Sequence, residues 1–93
     1  MGTEYAIRFV IGIINNYRER FSKEDVDNIL GTLHEWLDLI TTSNRTEEEE
    51  RRLEYIKVGL SSCVNKMDFS ALNELESYAE FSKCMKLLGQ TIG

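Results

Sequence analysis

His34 stands beside Glu35 and one helical turn before Asp38, and these three residues are the nearest this chain comes to a chemical constellation. An imidazole flanked by carboxylates could pass a proton or hold part of a divalent cation's shell. Zinc sites gather three or four Cys, His or carboxylate ligands, and His34 is the single histidine. A helical histidine with acidic neighbours also occurs on any solvated face. No catalytic residue, metal site or cofactor is therefore assigned, and the chain is read as non-enzymatic.

The only thiols, Cys63 and Cys84, fall on apolar stripes, where free cysteine packs as a small hydrophobe. If the last two helices form a hairpin turning near Met67, the two cysteines are offset by roughly 20 Å along it, beyond disulfide reach. Two reduced thiols are expected.

Three groups of residues could bind rather than react. Gly12 and Gly31 lie on the polar seams of the first two helices, each about ten residues from a turn at Phe21 and Ser22. They could line a shallow groove in which Arg8, Asn15 and Asn16 offer donors to an anionic or polar ligand. Glu24, Asp27, Asn28, Gly31, Glu35 and Asp38 recur at threes and fours and form one acidic face, fit to dock a protein with a basic surface. The same stripe also serves as an ordinary solvated face. Arg18, Arg20 and Lys23 alternate with Tyr17 and Phe21, as on some RNA-binding surfaces, but those aromatics equally suit helix packing.

Charge decides against nucleic acid. The net charge is −5, and residues 24–50 hold nine acidic groups against one basic. Duplex binding needs clustered Lys and Arg to displace counterions from phosphate. The N-terminal apolar run is interrupted by Arg8 and is shorter than the ~20 residues of a membrane span. Neither the basic region nor the cleavage site of a secretory signal flanks it, so the expected location is cytoplasmic. Asn44-Arg45-Thr46 matches a glycosylation sequon and is read instead as a loop leading into a helix cap.

These side chains need helices to position them. With 93 residues, 42% of them hydrophobic, no proline and no Gly/Ser linker, the chain fits one domain, residues 1–93. Four helices are expected, over about 4–20, 23–42, 47–66 and 69–90. Ser22 caps the second, with Asp25 at N3 and a Phe21–Val26 staple. The third starts near Thr46, where Glu47 to Glu50 face the helix dipole and Glu47 and Glu48 reach Arg51 and Arg52. Asp68 caps the fourth, and Gly89 and Gly93 suit a fraying end. Short connections favour antiparallel neighbours, in a small all-α four-helix bundle or an open helical array, or one completed by oligomerisation.

The first helix fits this plan least easily. Ala6, Ile7, Phe9, Val10, Ile11, Ile13 and Ile14 leave only a thin polar seam through Glu4, Arg8, Gly12, Asn15 and Glu19. Such a run also suits a buried strand exchanged between copies, although no second strand-like segment accompanies it. The other helices can cover one side of it. The second flank, Ala6, Phe9, Val10, Ile13 and Tyr17, is the expected partner or self-interface. The functional expectation is a small acidic inhibitor or adaptor that occupies a surface on another protein and forms homo-oligomers. The alternative is an oligomeric binder of a polar metabolite or nucleotide in a pocket between helices or subunits.

Overall fold

The crowded apolar run at the N-terminus is helical. The computed structural model describes residues 2–92, and among them α1 (Thr3–Asn16) is the first of four α-helices, with no strand. Ala6, Ile7, Val10, Ile13 and Ile14 are buried, and burial of each large aliphatic side chain contributes about 1.5–3 kcal/mol. Phe9, Ile11 and Tyr17 pack against this core from its margin. The helix stops sooner than expected. Tyr17 leaves helical geometry at φ −123°, and Arg18–Arg20 form a short 3-10 turn. There the Arg20 guanidinium donates to the Ala71 carbonyl at 2.8 Å and pairs with Glu74.

α2 (Lys23–Thr41) starts where its cap dictates, with the Ser22 hydroxyl accepting from the Asp25 N–H at 3.2 Å. Its buried face is Val26, Ile29, Leu33, Trp36 and Leu39. The Thr41 and Thr42 hydroxyls donate to the Leu37 and Asp38 carbonyls near its end. Arg45 donates to the Leu39 carbonyl at 2.9 Å, adding to the 3.4 Å bond that this carbonyl accepts from the Thr42 N–H at the helix cap.

α3 (Glu47–Val64) begins with a full capping box, in which Thr46 and Glu49 satisfy each other's backbone N–H groups. It returns antiparallel to α2. Arg52 grips the Glu35 carboxylate through two bonds of 2.6 and 2.8 Å, and Thr32 approaches the Cys63 sulfur at 3.8 Å. Glu48 therefore does not hold Arg52, as the one-turn spacing suggested. The planar guanidinium finds a bidentate partner across the hairpin instead.

The fourth helix departs furthest from expectation. Asp68 accepts from both the N–H and the hydroxyl of Ser70, and Phe69–Leu72 wind as a 3-10 helix. Further i→i−3 bonds carry the chain to Tyr78, and α4 spans only Tyr78–Leu87. Short polar side chains such as Asp68, Ser70 and Asn73 offer the backbone local alternatives to a helix. Nor does α4 fold back as a hairpin with α3. The principal helix contacts pair α1 with α2, α2 with α3, and α1 with α4. Phe69 bridges these parts, its ring 5.7 Å from Phe21 and 5.5 Å from Phe81.

The ring of helices closes through the segment after α4. Gly89 adopts φ +81°, the Gly89 N–H bonds the Lys86 carbonyl and the Gln90 N–H bonds the Met85 carbonyl. This is a Schellman cap, which needs the left-handed residue that glycine supplies without strain. It turns Gln90 inward. The buried Gln90 amide accepts from the Ser61 hydroxyl at 2.9 Å and donates to the Lys57 carbonyl at 3.3 Å, both on α3. Gly89 thus ends a helix and aims a buried side chain, where a fraying terminus was expected. Gly93 lies outside the described residues.

Candidate functional site

The flank of α1 chosen as an interface is mostly internal. Ala6 and Val10 have no exposed surface, Ile13 is buried, and Phe9 and Tyr17 are half-buried against the same core. These residues close the bundle because α4 docks on α1 opposite α2, covering the side that a simple count of apolar faces left open. Near this edge, Tyr5 remains 42% exposed, stacked at 6.0 Å on Phe9 and hydrogen-bonded to Glu80.

Gly12 and Gly31 both face open space. A Cβ on either would meet nothing within 4 Å, so no neighbouring backbone depends on the missing side chain. Arg8 is engaged by Glu4 at 3.1 Å, and Asn15 and Asn16 are exposed. A cleft of about 530 Å³ lies elsewhere, where the end of α3 meets the 3-10 helix and residues 91–92. Val64, Met67 and Phe69 supply apolar lining, and Asn65, Asn73 and Tyr78 supply polar groups. The hydrogen bonds from Ser70 hold the Asp68 carboxyl at its edge below the usual carboxylate range.

The acidic face of α2 is partly neutralised from within. Asp27 pairs with Lys23 at 2.9 Å and with Arg18 at 3.8 Å. Glu35 is occupied by Arg52, whose hydrogen bonds lower the carboxyl below its ordinary value while the guanidinium is stabilised in return. Glu24 and Asp38 remain exposed, with no ion pair among the described residues.

His34 is exposed on the same helix, and no three His, Cys, Asp or Glu side chains among the described residues gather as a metal set. Cys63 is half-buried and Cys84 buried, and both are free thiols. Burial, then the Glu80 carboxylate, pushes the Cys84 thiol up. The hairpin of α3 and α4 that motivated the thiol reading does not form, since α4 packs on α1.

Among the described residues, the most exposed large apolar side chains are on α3. Tyr55 is 63% and Val58 64% exposed, one turn apart on the face opposite Ile56 and Leu60. Arg51 and Ser62 continue the same stripe, and Glu47, Glu48 and Glu54 rim it. Sequence reasoning passed over this pair because it traced only the inward stripe from Leu53 to Met67. The signal was available: Tyr55 and Val58 fall out of phase with that stripe.

No protein-family profile matches the chain, and comparisons with curated proteins and with solved structures return no match. Among the described residues, no helix is long and apolar enough to cross a membrane.

Proposed function

We propose that this protein is a non-enzymatic interaction module whose contact surface is the outer face of α3, acting by occupying a surface on a protein. The observation that carries this is the exposed pair Tyr55 and Val58, set in a rim of charged side chains. An apolar centre with a polar rim is the usual anatomy of protein contacts, and Tyr and Arg are over-represented among residues that dominate binding. The acidic residues Glu47 and Glu48 at the rim suit a partner with a basic margin, as an inhibitor or adaptor would require. Two unpaired thiols accord with a reducing compartment such as the cytoplasm.

The test is a photo-crosslinking amino acid placed at position 58 and, as control, at position 31. Crosslinks to protein at 58 and not at 31 are expected. Equal labelling at both positions would remove the α3 face from consideration.

The cleft beneath Tyr78 favours a second reading, binding of a small polar molecule, because its volume lies in the usual range for ligand pockets. A metabolite that raises the melting temperature of the wild type and not of Asn73→Ala would support it.

A further inference from the structure

We infer that the occupant of the α3 face is a second copy of this chain, packed antiparallel to the first; this rests on the interaction reading above. Arg51, Tyr55, Val58 and Ser62 recur at four, three and four, the spacing of a coiled-coil seam. The two apolar members stand at the middle of the helix. Rotating a second α3 by half a turn about the point between them places Tyr55 against Val58 of the other copy and Arg51 against Ser62. Glu48, in the first turn, then meets Asn65 and Lys66, just past the end of the other helix.

The face is thus self-complementary in charge. Glu47 and Glu48 lie at the start of α3, and Lys66 stands exposed beyond the end. A parallel copy would set Glu48 beside Glu48 and leave both lysines unanswered. The antiparallel copy satisfies both ends at once, as a two-fold interface must. Glu54 flanks the centre, near its own counterpart, which opposes tight binding. Two exposed apolar side chains per copy also bury less than the roughly 1,200–2,000 Å² of a stable complex. The dimer is weak and depends on concentration.

Sedimentation equilibrium tests this directly. The mass of the wild type rises from 10.8 kDa toward twice that value between about 10 μM and 1 mM. Val58→Asp stays monomeric with an unchanged helical circular-dichroism spectrum. Glu48→Lys and Lys66→Glu each weaken association roughly five-fold, and their equimolar mixture recovers it, because each reversal answers the other. A mixture no tighter than the single variants overturns the antiparallel register. A wild type that remains monomeric throughout overturns the dimer. If crosslinking from position 58 to other proteins persists in that case, the interaction reading survives; if it is absent too, both fall.

Discussion

α1 and α3 exchange the roles their compositions suggest. α1 is the more apolar helix, and its side chains are consumed inside the chain by α2 on one side and α4 on the other. α3 opens on four glutamates and has a weaker apolar stripe, yet it carries the most exposed aromatic and aliphatic pair. Total hydrophobicity measures how many neighbours a helix needs. Exposure instead follows from phase, from which apolar residues point away from every neighbour. A surface for another molecule is therefore better sought in a mostly polar helix, at an apolar position that breaks the inward periodicity.

The largest expected effect separates the two helices directly. Val10→Asp buries a carboxylate in a site with no exposed surface and should leave the protein unfolded or near its midpoint at 25 °C, by chemical denaturation. Val58→Asp should shift stability by about 0.5 kcal/mol or less. Comparable losses for the two would break the contrast.

Closing the ring through Gly89 gives the next largest effect. Gly89→Ala forces a side chain into the left-handed region, with its Cβ 3.4 Å from the Lys57 side chain. A loss of about 1–2 kcal/mol is expected in urea unfolding. Gly12→Ala and Gly31→Ala run the other way. Their Cβ atoms enter open space on exposed helix faces, so each should stabilise by about 0.5–1 kcal/mol.

The smallest effect tests the α2–α3 hairpin. Arg52 lowers the Glu35 carboxyl in the folded state, so the pair stabilises above the ordinary glutamate range near pH 4.3. That contribution disappears as pH falls through the lowered value. Both partners are partly exposed, which keeps it well under 1 kcal/mol. Glu35→Gln should flatten the acid limb of a melting-temperature profile slightly and leave the neutral limb unchanged in slope.

The all-α fold, the caps at Ser22 and Thr46 and the bounds of α2 were legible because each rests on residues within a few positions of one another. The start of α4 was not. Asp68 and Ser70 sit in an apolar pattern that continues in helical phase, and only the hydrogen bonds between them and the i→i−3 backbone bonds that follow show that the chain winds differently there. The packing of α4 on α1 was hidden for a different reason. Residues 65–77 act as a spacer with its own 3-10 helix, so the short-connection rule did not apply. The α1 interface was misplaced as a direct result, since Ala6, Val10 and Ile13 looked uncovered without α4. Gln90 gave no sequence signal at all, because a buried glutamine is recognised by its two partners on α3, 29 and 33 residues earlier.

Gln90 also sets an order of events during synthesis. While residues 47–64 emerge, the Ser61 hydroxyl lacks its Gln90 partner and the Lys57 carbonyl has only its own helix to bond, and the hairpin of α2 and α3 can form without Gln90. The contact that fastens the last helix exists only once Gly89 and Gln90 have been added to the chain. A nascent chain paused between residues 64 and 78 holds its apolar N-terminal helix covered by α2 alone, and that side stays open to chaperones and to aggregation until α4 has been added.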